Sequence, residues 1–422
     1  MCVSSPALAR RLGLSGAVSL GLGSMLGAGV FVVFGPASAT AGAWLFVALG
    51  FAAMVAWANA LASAQLAVQF PTSGGTYVYG RQMLGPVWGY MAGWGFLVGK
   101  TASCAAMAMT FAAYVAPAGW EQAVAVVAVM VLGAVNVRGI TRTATVTRYL
   151  VVGVLVVVAV VVVVSLGAPA AGAGSVALSN PVTVWGVLQA AGLLFFAFAG
   201  YARLATLGEE VVNPPVTIPR AITIALSLAL TVYVILAVVL VRGLGVGGLA
   251  GSSAPLADAV VAADARWAVP VVAVGAAVAS LGALLALMTG LGRTALAMAR
   301  QGDLPAVLAR VSPRARTPWV ADLVLVVVVS ALVVVMDVRG AIGFSAFGVL
   351  VYYTIANVSA WHQHGVHRRY PRIVFVGGAV GCVVLVVTLP WQSVVSGALV
   401  FFVGGVVYGL TRRRSSERTD GS

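Results

Sequence analysis

The stretch LGLGSMLGAGVFVVF, Leu20–Phe34, decides how the rest of the chain is read. It is apolar enough to lie in a bilayer, yet Gly21, Gly23, Gly27 and Gly29 interrupt it. Glycine in a helix interior costs roughly 1 kcal/mol relative to alanine, and backbone groups left unpaired in hydrocarbon cost several times more. Such a weak point is tolerable only where it faces protein or a water-lined cavity, so that the freed amides can bind something. The spacing therefore predicts a helix broken around Gly27-Ala28-Gly29 that supplies half of a binding site.

The surrounding composition fits a membrane. Of 422 residues, 61% are hydrophobic and 8% charged, against about 25% charged in soluble domains. The length accommodates roughly a dozen membrane helices of about 20 residues and leaves no room for a soluble domain. The net charge of +14 is spread through alternate loops rather than gathered on one face, which argues for membrane topology and against nucleic acid. Cys2, Cys104 and Cys382 are far apart, so neither a disulfide framework nor a metal site is expected, and no cofactor is implied. Arg10 and Arg11 precede an apolar run without a clear cleavage site, which reads as a retained first helix.

Hydropathy and Gly/Pro punctuation predict twelve spans. They are Leu14–Phe34, Ala43–Gln69, Pro86–Ala116, Gln122–Val137, Tyr149–Leu166, Val184–Glu209, Ile218–Val241, Val269–Ala299, Ala321–Met336, Ile342–Trp361, Ile373–Leu389 and Trp391–Leu410, the last two joined by a tight turn at Pro390. One side collects Arg10/Arg11, Arg81, Arg138/Arg142/Arg148, Arg220, Arg293/Arg300/Arg310/Arg314/Arg316, Arg368/Arg369/Arg372 and Arg412–Arg414. The other has Arg242, Arg266 and Arg339, each with Asp258, Asp264 or Asp337 nearby. The positive-inside rule then puts both termini in the cytoplasm of a multi-pass cell-membrane protein. The tail 411–422 reads as a basic anchor followed by disorder.

A second weak point lies in LLFFAFAGYARLATLGEEVVNPP, where Gly200 sits mid-span and Arg203 follows. Spans one and six are five helices apart, so equivalent elements in the two sets of five would be inverted. Paired interrupted helices of this kind point to a transporter site at the bilayer midplane.

Four motifs carry a family resemblance. GSMLGAGVF (Gly23–Phe31), PTSGGTYVYG (Pro71–Gly80), FFAFAGY…LGEEVVNPP (Phe195–Pro215) and RTALAMARQGDLP (Arg293–Pro305) resemble, in order and spacing, the amino acid–polyamine–organocation superfamily of transporters. The resemblance implies an all-α, LeuT-type fold: a single domain over 1–410, with repeats over about 14–166 and 184–361, broken helices one and six, and extra helices over 373–410. It also implies amino acid transport. Amides around Leu26, Gly27, Ala28 and Gly29 would hold the substrate carboxylate, carbonyls of Phe196, Ala197 and Ala199 its ammonium, and Phe198 would gate the site. Half-helix termini suit both charges, because one end offers free amides and the other free carbonyls.

Charged groups inside the spans are the remaining candidates. Lys100 is the chain's single lysine, near the middle of the third span. A charge at that depth is expensive and points to function, as a pocket group or as a carrier of coupled protons. Some proton-coupled members of the superfamily it resembles carry a lysine in the fifth helix, at about the position where this chain has Gly153 or Val154. Isolated Ser280 and Thr289 give no Ser/Thr pair for a sodium site. Arg203 would pair with Glu209 or Glu210 on one helical face, and Tyr201, Met107, Asn59 and Asn357 are pocket or packing groups. Asp322 would meet interfacial water or an arginine. His362, His364 and His367 share a basic loop whose spacing suits anionic lipid better than a metal. Ala28, Ala199 and Ala202 leave room for a substrate larger than glycine, and the lack of a deep acidic residue argues against cationic ones. The alternatives are a channel or facilitator for small amines or metabolites, or an exporter. No HExxH or GxSxG motif points to an enzyme.

Overall fold

The computed structural model describes residues 12–71, 74–139, 144–169, 182–205, 210–313, 315 and 317–419. Cys2, Arg10, Arg11, Arg142, the connection over 170–181, Glu209, Arg314, Arg316 and residues 420–422 lie outside them. Apart from one isolated bridge between Leu12 and Val211, the described residues are helical and contain no strand. In order the helices are α1 (Leu14–Met25), α2 (Ala28–Val32), α3 (Phe34–Ala41), α4 (Leu45–Gln69), α5 (Thr76–Met83), α6 (Pro86–Val115), α7 (Glu121–Val137), α8 (Ala144–Gly167) and α9 (Val184–Phe198). They continue as α10 (Ala202–Ala205), α11 (Pro214–Gly251), α12 (Pro255–Ala262), α13 (Val269–Arg300), α14 (Trp319–Val335), α15 (Val338–Trp361), α16 (Arg372–Thr388) and α17 (Trp391–Thr419). Among the described residues nine segments are long and apolar enough to cross a membrane. Three shorter apolar helices, α7, α14 and α16, stand where the fourth, ninth and eleventh spans are expected.

The punctuation has local causes. Proline opens α6, α11 and α12, where its missing N–H removes no helical bond. Thr183 Oγ1 accepts from Gly186 N (3.0 Å) and Asp337 Oδ1 from Gly340 N (2.8 Å), capping α9 and α15. The Pro390 turn separates α16 from α17 as expected. Three details differ from the sequence reading. The seventh span begins at Pro214 and continues to Gly251 across a kink at Gly245, whose φ of 68° suits glycine. The segment expected as tail is helical from 411 to Thr419. The loop motif PTSGGTYVYG contributes a short helix, α5, with no apolar period to announce it.

α6 and α15 form the centre: 72% and 83% of their most apolar windows are buried, against 28% for the corresponding part of α17 on the rim. They cross closely because Gly95 and Gly99 of α6 meet Gly348 of α15. A side-chain carbon on Gly348 would lie 2.8 Å from Gly99 Cα, the small-residue contact that membrane helices use in place of hydrophobic driving force. Ser103 and Ser345 hydrogen-bond across the same seam (2.6 Å). This seam turns the next residue after Gly99, Lys100, toward the end of α9.

Candidate functional site

The first helix breaks where the glycines place the weakness. α1 ends at Met25, Gly27 leaves the helical region with φ −69° and ψ −140°, and α2 restarts at Ala28. The sixth breaks at Phe198, where a 3₁₀ turn over Ala199–Tyr201 precedes α10. The two breaks touch. A side-chain carbon on Gly29 would come within 3.0 Å of Ala197 Cα, and one on Gly200 would strike the Ser24 carbonyl and lie 2.6 Å from Met25 N. Only hydrogen at these positions permits so close an approach.

A helix starting at Ala28 leaves its first amides without intrahelical acceptors, and no side chain caps α2. The Leu26 amide, in contrast, donates to the Leu22 carbonyl (2.7 Å) and belongs to α1. Of the four residues expected on the carboxylate side, Gly27, Ala28 and Gly29 therefore form the new helix start and Leu26 closes the old one.

The carbonyl side already holds protein donors. Lys100 Nζ donates to the Ala199 carbonyl (3.2 Å). Tyr233 Oη lies 2.9 Å from the Ala197 carbonyl and 2.7 Å from that of Met25, bridging both breaks from α11. The Phe196 carbonyl accepts from the Ala199 amide at the helix end. Leu26, Ala28, Ala197, Phe198 and Ala199 are each 3% exposed or less, so the described conformation is closed around the breaks.

Two aromatic side chains divide the surroundings. Phe198 stacks edge-on against Tyr233 (4.9 Å between centroids) within the main core. Phe196 lies beside Gly29 and shares a second apolar cluster with Ala28, Met107, Leu193 and Ala283. The aromatic ring against the first break is thus Phe196. Tyr201 is buried and stacks on Tyr353 (5.1 Å). Arg203 Nη1 reaches α13 and donates to the Ala286 carbonyl (3.2 Å). Of its expected partners, Glu209 lies outside the described residues, while Glu210 acts on the guanidinium electrostatically and its carbonyl accepts from Leu12 N (3.0 Å), tying the start of α1 to the exit of the sixth segment.

Other expectations resolve as packing. Asn59 and Asn357 pair inside the bundle (2.6 Å), next to Tyr201 of the second break, with Cys382 donating to Asn59. Cys104 is buried on α6. Thr289 bonds Asn136 (2.7 Å) and Ser280 is buried on α13. His362 contacts the Val358 carbonyl (2.8 Å) and His364 contacts Arg372 (3.1 Å). Asp322 meets its expectation in part: it is 1% exposed and packed on Gly292 of α13, withdrawn from water, while the Arg293 guanidinium acts on its carboxylate electrostatically. Ridge packing of α14 on α13, which hydropathy does not encode, withdraws it from water.

Two polar arrangements escape the sequence reading. Tyr233 is one; an aromatic residue in an apolar run gives no signal. The other joins two quoted motifs. Arg81 pairs with Asp303 (2.6 Å), and Tyr77 Oη lies 2.6 Å from the same carboxylate and 2.7 Å from Gln301. Burial, and then the hydrogen bond to Asp303, hold the Tyr77 phenol above its ordinary range. Polar residues recurring in PTSGGTYVYGR and ARQGD were the available hint. At the other end Tyr114 Oη donates to the Phe31 carbonyl (2.7 Å) and accepts from Leu256 N (3.3 Å), binding α12 over the second half of the first span.

Comparison with known proteins agrees with this architecture. The family model described as amino acid permease matches residues 12–409. An uncharacterised transporter of Mycobacterium tuberculosis is 54% identical over 415 residues, covering 98% of this chain and 94% of that protein. A branched-chain amino acid permease of Bacillus subtilis is 25% identical over 439 residues, covering 97% and 94%. Cationic amino acid transporter 4 of Mus musculus is 28% identical over 365 residues, covering 81% of this chain and 57% of that protein. A match over nearly the whole chain, with four motifs in order and both helix breaks facing one another, has one reading: this chain belongs to the amino acid permease family, within the amino acid–polyamine–organocation superfamily.

Proposed function

We propose that the protein carries amino acids across the cell membrane by alternating access, with the two helix breaks as halves of one site. The observation that carries this is the contact of the α2 start, Gly27–Gly29, with the α9 end, Ala197–Gly200, inside the buried centre. Free amides at a helix start suit a carboxylate, and carbonyls at a helix end suit an ammonium. An α-amino acid presents both charges one carbon apart. Gly27, Ala28 and Gly29 would bind the carboxylate, and Leu26 would join them only by giving up Leu22. Phe196, Ala197 and Ala199 would bind the ammonium once Tyr233 and Lys100 release their carbonyls. Phe198 acts as a gate through Tyr233, against which it packs.

The finer architecture follows the same reading. α7, α14 and α16 have 17 residues each, enough at 1.5 Å per residue to cross a thin or adapted bilayer. Twelve spans then form a five-plus-five inverted repeat with two further helices, and the arginine-rich loops put both termini in the cytoplasm. Transport is driven by protons or by exchange. Relatives named as permeases and transporters, with a site made of backbone, favour a carrier over an enzyme.

Purified protein in liposomes tests this. Uptake of a labelled amino acid that accelerates when unlabelled amino acid is loaded inside identifies a carrier. Flux without such trans-stimulation identifies the channel or facilitator, and absence of flux for every amino acid rejects the reading.

A further inference from the structure

Lys100 is the one lysine in a chain whose other basic residues are arginine and histidine. It is 7% exposed, at the middle of α6, and among the described residues its Nζ makes a single hydrogen bond, to the Ala199 carbonyl. An ammonium has three donors, so two are left without an acceptor among the described residues. The neighbouring titratable group on its own helix is the Cys104 thiol, one turn away. Among the described residues no carboxylate pairs with it from α9, α13 or α15: Asp303 pairs with Arg81, and Asp322 lies on Gly292. A buried cation ordinarily has a counter-charge or a full set of acceptors. This one has neither, and it stands on the carbonyl that an amino acid's ammonium would need.

We infer that Lys100 is a specificity-determining residue that selects amino acids with an anionic side chain, and that the substrate's second carboxylate is its missing partner. This rests on the proposed amino acid site. When the substrate ammonium takes the Ala199 carbonyl, Lys100 loses its one acceptor beside a new positive charge. Two like charges brought to one carbonyl repel strongly where water is excluded. A neutral side chain supplies nothing to offset that, and a cationic one adds a third positive charge. A side-chain carboxylate accepts the freed ammonium donors and makes the complex of lysine, substrate ammonium and two carboxylates neutral. The α2 start, itself positive, meets the α-carboxylate.

The test uses the full chain, purified and reconstituted in liposomes, with labelled L-glutamate, L-aspartate, L-leucine and L-arginine, alongside thermal stabilisation by all twenty amino acids. The wild type is expected to take glutamate or aspartate at least tenfold more efficiently than leucine, and arginine least. Lys100→Met should lower the acidic-to-leucine ratio at least tenfold, whereas Lys100→Arg, which keeps the charge, should retain a preference for acidic substrates. Wild-type transport of leucine or arginine as efficient as that of acidic amino acids overturns the inference and leaves the amino acid site standing. So does an unchanged ratio in Lys100→Met. If Lys100→Met does not fold, the wild-type ratio decides alone. Silence toward all twenty amino acids removes the site reading and this inference with it.

Discussion

The two helix breaks look like counterparts in sequence, each a glycine in an apolar run, but they are finished differently. The first turns on one residue, Gly27, and restarts as a helix whose opening amides have no cap. The second winds down through a 3₁₀ turn, and its carbonyls are held by Lys100 and Tyr233. The first break has amides that no side chain caps; the second has carbonyls that hold the protein's own donors. On the proposed reading an amino acid would displace Lys100 and Tyr233 on its ammonium side, and on its carboxylate side only the Leu26–Leu22 bond, where Leu26 takes part. Binding selectivity and conformational change should therefore be concentrated at the second break, where partners must be exchanged.

The largest expected effect comes from forcing the breaks apart. Gly200→Leu drives a side chain into the Ser24–Met25 backbone, which cannot yield as a flexible side chain does. The expected destabilisation is about 3 kcal/mol or more, read as a lost thermal transition and aggregation on size exclusion; a normal transition would mean the breaks do not bear on each other as described. Gly29→Ala is milder, because the contact with Ala197 is at 3.0 Å. About 2 kcal/mol is expected, with uptake falling further than stability since the α2 start is displaced. Equal losses in both would assign Gly29 to packing alone.

Tyr233→Phe removes the hydroxyl shared by Met25 and Ala197. A hydrogen bond of this kind contributes about 1 kcal/mol, and the thermal midpoint should fall accordingly. Substrate affinity should hold or rise, since a competitor for the Ala197 carbonyl is gone. A tenfold loss of affinity would instead make Tyr233 a substrate ligand and dissolve the contrast between the breaks.

The smallest effect serves as a reference away from both breaks, at the Tyr77–Arg81–Asp303 cluster. Its phenol is held above the ordinary range by burial and by Asp303, so the folded state keeps a proton that the unfolded chain releases near pH 10. That contribution is intact below pH 10 and is lost as the pH rises beyond it. Between neutral pH and pH 10 the wild type should lose about 0.4 kcal/mol more than Tyr77→Phe does, the difference being the one phenol removed. Parallel thermal profiles from pH 8 to 11 would remove Tyr77 from the cluster.

Local chemistry was enough to place the segments of the bundle in order and both breaks to within a residue or two, though the ends of the seventh and last segments lie several residues further out. Long apolar runs, proline starts and the cost of glycine in a helix are properties of neighbouring residues, so the order of amino acids carries them directly. Gly27 and Gly200 were legible because their cost is out of place in hydrocarbon. Which partner meets which break was settled by tertiary packing. Lys100 reaches Ala199 because Gly95 and Gly99 let α6 lie flat on Gly348. Tyr233 spans both breaks from a run that reads as plain lipid-facing helix, and Phe196 lies by Gly29 while Phe198 turns to Tyr233. Of the two surroundings expected for Asp322, packing on Gly292 of α13 removed the water and left an arginine, Arg293. These contacts join residues on different helices, and hydropathy carries no record of which helices will be neighbours or which faces they will present.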